Sequence, residues 1–399
     1  MSALLDTDVL IVGAGPSGMV SALCLAQMGV RSLIVERAEG LNPHPKAHEV
    51  NARTLEILMG LGFDRNVLEA HASPPAEAAR VVFCKTLQDE FGCIDLSHEA
   101  IASKYQRHLG SEQPYLNLSQ TELERTLLDR VRQTPETEVH YLHQWEGAQE
   151  QADQVVSTVR RLSDGSEVHI VSRYIIGADG ASSRVRRSLG IAMEGPDKLQ
   201  DFVSACFSLN LREQVKTPAK LYWILHPEVG GVLVAHHVDN QWVFHAPVFT
   251  PYERREDYTP EVFAKRLGQG LGIDPDAINI TSIASWRMTA QVATAFGKGR
   301  LFLVGDSAHR FPPTGGLGMN TGIADAHNLC WKLAAVLQGQ AHPSLLDTYE
   351  QERRPVAQRN CAQSRTNFDK IHDVIAAFGL PRGGMEPKRT HMQDAQHRL

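Results

Sequence analysis

The 399-residue sequence lacks the features of several large protein classes. No apolar run approaches the ~18–20 residues that span a bilayer, and the first residues lack the basic and apolar regions of a signal peptide. Positive charge is not in excess either, because 40 basic and 46 acidic residues give a net charge of −6. Such a balance offers no broad surface for nucleic acid or an anionic membrane. The sequence therefore predicts chemistry on small molecules, with no nucleic-acid or membrane partner.

Cysteine is also scarce, and its spacing does not suggest a metal site or a redox pair. None of the 6 cysteines belongs to a C-x-x-C pair. Cys24 and Cys330 fall in helix-like apolar patterns, where buried free thiols are common. We therefore predict a cytoplasmic protein without a metal site. The length exceeds the ~250–300 residues at which a single hydrophobic core stops growing, which favours one large domain with a second lobe.

The first segment with a chemical signature is the turn G-A-G-P-S-G at residues 13–18, between an apolar strand and a helix-like pattern. Gly13 permits the tight turn, Gly15 lets the backbone approach a pyrophosphate, and Gly18 lets helix and strand pack closely. The helix N-terminus offers free N–H groups and the positive end of its dipole to phosphates. Glu36 closes the next strand and suits ribose hydroxyls. This pattern predicts a dinucleotide site in the opening unit of a doubly wound sheet.

Two later segments also follow short apolar strands. Asp179-Gly180 could by itself be an ordinary turn. Residues 300–328 are more unusual, because a buried strand ends at Gly305-Asp306 and a loop rich in glycine and proline leads into a helix predicted to begin near Asn320. Asp306 can accept hydrogen bonds from a sugar hydroxyl, and the loop glycines let the backbone lie against a flat ring. The helix start would then direct its positive end at a developing anion on that ring.

Together these three segments resemble the class A flavoprotein aromatic hydroxylases, the group of para-hydroxybenzoate hydroxylase and phenol hydroxylase, over about residues 7–360. The resemblance implies an α/β fold: a doubly wound, Rossmann-like FAD-binding domain with a second, strand-rich substrate lobe. It implies FAD as cofactor, with NADPH or NADH as a transient reductant. The implied FAD contacts are Gly13, Gly15, Gly18, Glu36, Arg37, Arg53, Gln120, Asp179, Gly180, Gly305, Asp306, Gly316, Leu317, Gly318, Met319 and Asn320.

The element pattern and the resemblance together predict how the chain is divided. The FAD-binding domain is expected in three parts, at residues 1–75, 111–187 and 285–375, the last including the C-terminal helices. A substrate-side insertion is expected at 76–110, a substrate-binding sheet lobe at 188–284, and a flexible tail at 376–399.

The resemblance also implies a reaction and a base. In this family NAD(P)H reduces FAD, O2 adds to form a flavin hydroperoxide, and an electron-rich aromatic ring attacks its distal oxygen. A phenol-type ring becomes more reactive when a base removes its proton. In the phenol-hydroxylase-like branch that base lies five residues before the arginine of an R-T-x-E motif, which here is His48. An ordinary loop histidine is the competing interpretation, since the chain has 18 histidines. Pro313, in the loop that resembles the flavin-ring lining, is the second candidate catalytic residue.

Substrate contacts are expected from the strand-rich lobe, although sheet packing is the alternative explanation for each candidate. His236 and His237 are adjacent, so in a strand they would face opposite ways and not share a metal. The candidates for substrate contact are Tyr222, Trp223, His236 and Phe244, with His226, His237 and Trp242 as further aromatic or imidazole residues nearby.

The expected partners are a small aromatic substrate, O2 and NAD(P)H, and the chain is expected to be a monomer or a homodimer. Three other functions stay open on the same fold. One is an epoxidase, since the sequence does not reveal whether the product is a hydroxylated ring or an epoxide. A flavin-dependent halogenase would need a W-x-W-x-x-P segment, where this sequence has Y-W-I-L-H-P at 222–227. A non-catalytic FAD-fold protein, like the prenyl-GTPase escort proteins, would not need the ring-lining loop at 312–320.

Overall fold

The computed structural model describes residues 3–44, 46–97, 115–226, 229–249 and 253–377. Residues 98–110 of the expected insertion and 378–399 of the expected tail lie outside these ranges. The strands within them are β1 (Ala3–Asp6), β2 (Val9–Val12), β3 (Ser32–Val35), β4 (Glu49–Val50), β5 (Arg80–Cys84), β6 (Glu90–Asp95), β7 (Leu116–Asn117), β8 (Thr137–His140), β9 (His143–Glu150), β10 (Val155–Arg161), β11 (Glu167–Ser172), β12 (Tyr174–Gly177), β13 (Met193–Glu194), β14 (Gln200–Ser208), β15 (Leu221–Ile224), β16 (Gly231–His237), β17 (Gln241–Val248), β18 (Asn279–Met288), β19 (Gln291–Ala293), β20 (Gly297–Lys298), β21 (Leu301–Leu303) and β22 (His309–Arg310).

The helices in the same ranges are α1 (Pro16–Gln27), α2 (Ala52–Gly60), α3 (Arg65–Ala70), α4 (Pro75–Ala78), α5 (Gln120–Gln133), α6 (Arg184–Ser188), α7 (Pro260–Leu271), α8 (Leu317–Leu337), α9 (Asp347–Asp369) and α10 (Ile371–Ala377). Short 3-10 turns lie at Arg255–Asp257, Pro275–Ala277, Gly305–Ser307 and Pro343–Leu346. Among these described helices, none combines the length and apolar character that a membrane span requires.

The expected α/β fold is confirmed by a six-stranded sheet in the order β20-β21-β12-β2-β3-β8, parallel from β21 to β8. Its inner strands read VLIV, SLIV and YIIG and are buried along their whole length. Continuous apolar strands are typical of a parallel sheet covered on both faces. Helices α1, α5 and α8 contribute to the same apolar core.

This strand order brings the three signature segments together. The strands β2, β12 and β21 are direct neighbours, and each is followed by one of the segments. The carboxyl ends of parallel strands meet at one edge of a sheet, which is where ligands bind in doubly wound folds. Segments more than a hundred residues apart in sequence therefore share one edge.

The second lobe is a seven-stranded sheet in the order β18-β14-β17-β16-β15-β5-β6. Helix α7 covers one face of it, and Phe263 and Leu267 of α7 lie in a core with the alternate strand residues that point the same way. The helix is well delimited by its sequence: Thr259 caps its start, Pro260 is its first residue, and Gly272 ends it with φ +76°. The opposite face of the sheet is turned away from α7.

Three local features concern where elements begin, divide or continue, and the first differs from the prediction. Helix α8 begins at Leu317 and not near Asn320, because Gly316 adopts φ +62° and serves as its N-cap. The strands β11 and β12 are separated only by Arg173, yet they belong to different sheets. Helix α9 continues through Pro355, which is exposed together with Gln351, so the carbonyl that loses its helical partner can be solvated.

Candidate active site

Two of the three glycines in the first segment, Gly13 and Gly18, allow close backbone contacts, and the third, Gly15, faces open space. A Cβ on Gly13, which has φ +109°, would lie 2.4 Å from the carbonyl oxygen of Ala178. A Cβ on Gly18 would lie 2.0 Å from the carbonyl oxygen of Gly13. Beyond its chain neighbours, a Cβ on Gly15 would meet no atom of the described residues within 4 Å. Gly13 thus packs closely against the residue before Asp179, whereas Gly15 faces open space at the N-terminus of α1, where a phosphate would approach.

Asp179 joins the second segment to the third. Its carboxylate accepts hydrogen bonds from the backbone N–H of Arg184 at 2.6 Å and from the Ser307 hydroxyl at 3.1 Å. The same hydroxyl oxygen accepts the N–H of Gly180 at 3.1 Å. Asp179 therefore holds the start of α6 and the G-D-S turn in place. Ser307 was missed at the sequence level, although it directly follows Asp306.

Asp306 has a different environment from Asp179. Gly305 beside it has φ +60°, and a Cβ there would lie 2.7 Å from Oγ of Ser17. The Asp306 side chain is exposed and makes no hydrogen bond within the described residues. The backbone is fixed while the carboxylate stays available to an incoming hydroxyl group.

A buried cluster of charged side chains holds the Gly305-Asp306 turn in place. Oδ2 of Asp325 accepts from Nε2 of His309 at 2.6 Å and from the N–H of Gly305 at 3.3 Å. Oδ1 accepts from Nε of Arg353 at 2.8 Å. Burial raises the pKa of the Asp325 carboxyl, but His309 and Arg353 outweigh it and leave that pKa below its ordinary value. The carboxylate is thus held ionised inside the fold, and it connects α8 and α9 to the Gly305 turn.

Glu36 and Arg37, the two predicted FAD contacts at the end of β3, differ in their hydrogen bonds within the protein. The Glu36 carboxylate accepts the N–H groups of Ala14 and Ala38, both at 2.9 Å. It thus ties the first segment to the end of β3 and keeps lone pairs for ribose hydroxyls. Arg37 is exposed.

Arg53 and Gln120 flank the loop that carries His48. Arg53 is exposed on α2 and donates to Glu56 at 3.1 Å. Gln120 opens α5, and its side-chain oxygen accepts the N–H of Ala47 at 3.2 Å. The backbone N–H of Gln120 donates to the Ala47 carbonyl at 2.8 Å. Gln120 therefore fixes the loop just before His48.

The predicted ring-lining stretch is a turn followed by the first turn of α8. Pro313 is exposed, and its carbonyl accepts the N–H of Gly316 at 3.0 Å. Leu317, Gly318 and Met319 are half-buried in that first helical turn. The first N–H groups of α8, which have no acceptor within the helix, therefore belong to residues of the predicted ring-lining stretch.

Asn320 is engaged by the protein itself. Its side-chain oxygen accepts from the N–H of Asn51 at 3.0 Å and the hydroxyl of Thr54 at 2.7 Å. Its side-chain nitrogen donates to the carbonyls of Glu49 at 2.8 Å and Gly316 at 2.6 Å. The side-chain amide of Asn320 thus joins the His48 loop to the start of α8.

His48 lies between the start of α8 and the second sheet. Its ring Nδ1 is 2.7 Å from Oδ1 of Asn117. The Asn117 nitrogen donates both its protons, to Oγ of Ser73 at 2.8 Å and to the carbonyl of Ala235 at 3.0 Å. The oxygen of Asn117 must therefore face His48 as an acceptor, so Nδ1 of His48 carries the proton. Nε2 of a neutral His48 is then left with a free lone pair.

Several charges act on His48. Burial is the largest influence and lowers the pKa of His48; the Asn117 hydrogen bond raises it, the Lys220 ammonium lowers it, and the Glu49 carboxylate raises it. The net pKa lies below the ordinary value of about 6.5. Lys220 and Glu49 are themselves paired at 2.8 Å. At neutral pH His48 is consequently an uncharged ring that can accept a proton.

Two of the four candidate substrate contacts lie on the wrong face of the sheet. Tyr222 and Phe244 are buried in the core beneath α7, and the Tyr222 hydroxyl donates to the Thr217 carbonyl at 2.9 Å. Trp242 belongs to the same core. Strand alternation alone could not say which face met α7.

The other two candidates lie on the face turned away from α7. Trp223 packs against α10 and stacks on Phe83, so it is covered by the protein. Only His236 reaches His48, with ring centroids 5.6 Å apart. Strand alternation explains this, because Ala235 lies in the core beneath α7 and its neighbour His236 therefore faces the other way. His237 instead lies 3.5 Å from Asp239, as expected for neighbours that diverge.

The same face carries residues that the sequence did not single out. Nδ1 of His245 lies 2.6 Å from Oγ of Ser204, which also accepts Nε1–H of Trp286 at 2.8 Å. Nδ1 of His44 lies 2.8 Å from Oγ of Ser282. Despite this density of imidazoles, no group of His, Cys, Asp or Glu within the described ranges is arranged to hold a metal ion.

The observed edge fits the expected FAD. The space in front of Gly15 is open, the Asp306 carboxylate is unused, and free N–H groups begin α1 and α8. These features suit a pyrophosphate, a polyol chain and an electron-poor ring respectively.

Comparison with known proteins agrees with this geometry. Residues 6–364 match the model of the family described as FAD binding domain. The chain is 34% identical over 391 residues to 2,4-dichlorophenol 6-monooxygenase of Cupriavidus pinatubonensis, covering 96% of this chain and 65% of that protein. It is 34% identical over 373 residues to aklavinone 12-hydroxylase RdmE of Streptomyces purpurascens, covering 90% and 68% respectively. The chain thus spans about two thirds of the length of these relatives.

Solved structures give the same picture. The flavin-dependent monooxygenase PieE, crystallised with FAD and substrate, is similar with a TM-score of 0.88 at 31% identity, over 98% of this chain and 72% of that one. An aklavinone-11 hydroxylase in a ternary complex with FAD and aklavinone is similar with a TM-score of 0.83 at 32% identity, over 91% and 69%.

Proposed function

Since this chain belongs to the FAD-binding domain family, among the class A flavoprotein monooxygenases, we propose that it hydroxylates a phenol-type aromatic compound with NAD(P)H and O2. The observation that carries this proposal is the position and polarity of His48. The backbone carbonyl of Glu49, next to His48, accepts a hydrogen bond from Asn320 in the first turn of α8, and Nδ1 of His48 is bonded to Asn117. A neutral acceptor is thereby held beside the stretch where the flavin ring is expected.

The residues divide into those that hold the cofactor and one that acts on substrate. Gly15, the N-terminus of α1 and Glu36 would hold the adenosine diphosphate part, and Asp306 the ribityl hydroxyls. The N-terminus of α8 would meet the ring. When bound, FAD supplies electrons taken from NAD(P)H and activates O2 for transfer of one oxygen atom. His48 would receive the phenol proton at Nε2 and so raise the electron density of the substrate ring.

The proposal extends to partners and location. The substrate would be a small aromatic molecule, as the names 2,4-dichlorophenol 6-monooxygenase and aklavinone-11 hydroxylase indicate for those proteins. All six cysteines are free thiols, which suits a reducing cytoplasm where NAD(P)H is available.

Asp306→Ala should lower FAD occupancy of the purified protein. Hydrogen bonds to a charged group contribute about 1.5–3 kcal/mol, so the dissociation constant for FAD should rise roughly 10- to 100-fold. Flavin absorbance relative to protein absorbance measures this directly. Asp153→Ala removes another exposed carboxylate and serves as control. Unchanged FAD affinity in Asp306→Ala would remove Asp306 from the cofactor site.

The reaction itself is tested by coupling. A panel of phenols and aromatic acids is incubated with the FAD-loaded protein, and NAD(P)H consumption, hydrogen peroxide and hydroxylated product are measured together. We expect at least one phenol to accelerate NAD(P)H oxidation and to yield nearly one product molecule per NAD(P)H consumed. If FAD binds but no compound in a broad panel gives product, the protein is not a phenol hydroxylase.

A further inference from the structure

Three imidazoles on the sheet face turned away from α7 share one arrangement. In His44, His48 and His245, the ring Nδ1 is bonded to a protein oxygen: Ser282, Asn117 and Ser204 respectively. Within the described part of the chain, their Nε2 atoms have no hydrogen-bond partner. None of these Nε2 atoms is among the polar atoms that are fully buried without a partner. Each Nε2 therefore reaches accessible space.

These rings surround the same space. His48 makes an edge contact with His236, and burial lowers the pKa of His236 well below its usual value, with His48, His245 and His44 lowering it further. Burial likewise lowers the pKa of His245 to about 3, with His44 and His48 adding to the effect. The strand register agrees, because Ser204 pairs with His245, and Ser282, the partner of His44, pairs with Cys206 two residues further along the same strand. At neutral pH His245 is uncharged.

The proton of neutral His245 can be located from its partners. The indole Nε1–H of Trp286 can only donate, so Oγ of Ser204 accepts it at 2.8 Å. Ser204 is fully buried and has no acceptor for its own proton in the described residues other than Nδ1 of His245, at 2.6 Å. The serine therefore donates to Nδ1, and the proton of His245 lies on Nε2.

The Nε2 atoms of His245 and His48 thus have opposite hydrogen-bonding roles. Asn117 accepts from Nδ1 of His48 and leaves Nε2 as a lone pair, whereas Ser204 donates to Nδ1 of His245 and leaves Nε2 as a donor. Phe202 stacks on Trp286 at 4.5 Å and holds the indole that orients Ser204. A substrate that satisfies both rings needs a hydroxyl to donate and a separate oxygen to accept.

We propose that Nε2–H of His245 donates a hydrogen bond to a second oxygen of the substrate, so that the protein selects phenols that also carry a carbonyl or similar acceptor oxygen. This inference rests on the proposed function, because it takes the substrate to be a phenol whose hydroxyl meets His48. His245 is a specificity residue in this account and takes no part in oxygen transfer.

The test compares binding of two phenols of nearly equal shape. The ortho, meta and para hydroxyacetophenones carry a carbonyl, whereas the matching isopropylphenols do not. Dissociation constants are measured on the FAD-loaded protein by calorimetry, without turnover. At least one hydroxyacetophenone should bind about 3- to 10-fold more tightly than its isopropyl partner, the range expected for one neutral hydrogen bond.

Variants then identify the donor. His245→Leu should abolish the preference, whereas His245→Gln, which keeps an N–H near the Nε2 position, should retain it. His237→Leu is the matched control, since His237 is the neighbouring imidazole that contacts Asp239 instead. If the leucine variant does not fold, Ser204→Ala should weaken the preference by releasing the proton from Nε2.

The outcomes separate this inference from the proposed function. Equal binding of all three pairs by the wild type, or a preference that survives His245→Leu, overturns the role of His245 even if phenols are hydroxylated. A carbonyl preference that depends on His245 without any hydroxylated product would support the binding role and reject the reaction.

Discussion

His48→Ala should slow oxygen transfer to the substrate by about 10²–10⁴-fold, the usual contribution of a general base. FAD binding and reduction should stay close to normal, because the His48 ring contacts Asn117 and His236 and, among the described residues, neither belongs to the Gly15 or Asp306 regions. The slower step gives activated oxygen time to leave as hydrogen peroxide. Peroxide per NAD(P)H, measured together with product, should therefore rise steeply in the variant.

The pH dependence distinguishes loss of a base from loss of packing. Burial lowers the pKa of His48, so the wild-type ring stays neutral above a pH of about 6.5 and loses its acceptor only in more acidic solution. Without the ring, the substrate must ionise unaided, and its hydroxyl has a pKa of about 10 if it resembles tyrosine. The variant rate should therefore increase with pH up to that range while the wild-type rate is nearly flat.

Two further variants complete the experiment. Asn117→Leu removes the acceptor that fixes the proton on Nδ1 and should give part of the same uncoupling. His71→Ala changes an exposed histidine outside the site and should behave as the wild type. Normal coupling and rate in His48→Ala, at all pH values, would leave His48 as a spectator.

Asp325→Asn should cost about 3–5 kcal/mol in the free energy of unfolding, which is typical when one partner of a buried ion pair is removed. The Asp325 side chain is fully buried, and Arg353 would lose its charged partner in a site that is 14% exposed. The Gly305 N–H would also lose an anionic acceptor, so FAD affinity should fall as the Asp306 turn loosens. Chemical denaturation and flavin titration measure the two effects separately.

A double-mutant cycle shows whether the cluster acts as a unit. Asp325→Asn with Arg353→Gln should destabilise less than the sum of the single variants, because the second change removes the charge that the first left unpaired. Asp129→Asn, on the exposed face of α5, should leave stability within about 0.5 kcal/mol of the wild type. Additive losses would mean that Asp325 and Arg353 contribute independently.

The cofactor edge was largely predictable because its signals are local. Gly13 and Gly18 need backbone room that a side chain would fill, and that requirement is visible in the spacing of a short motif. The same holds for α7, whose cap and stop residues lie within its own segment. His48 was predictable only by analogy, since nothing in its immediate sequence distinguishes it from other histidines.

The remaining features of the site depend on contacts between segments that are far apart in the sequence. Tyr222 and Phe244 looked like substrate contacts, but which face of a strand meets a helix depends on distant segments. Asn117 and Ser204 became important because each meets an imidazole 41 or more residues away in sequence. No periodicity predicts such a meeting.

The sequence by itself therefore determined the three cofactor segments and the α/β class, because glycine geometry and strand hydrophobicity are properties of short stretches. Only the tertiary structure decided the rest: which sheet face is turned away from α7, where the protons of His48 and His245 lie, and that Asp325 supports the Asp306 turn. These depend on hydrogen bonds between residues far apart in the chain, and the direction of each bond is set by its partner's chemistry.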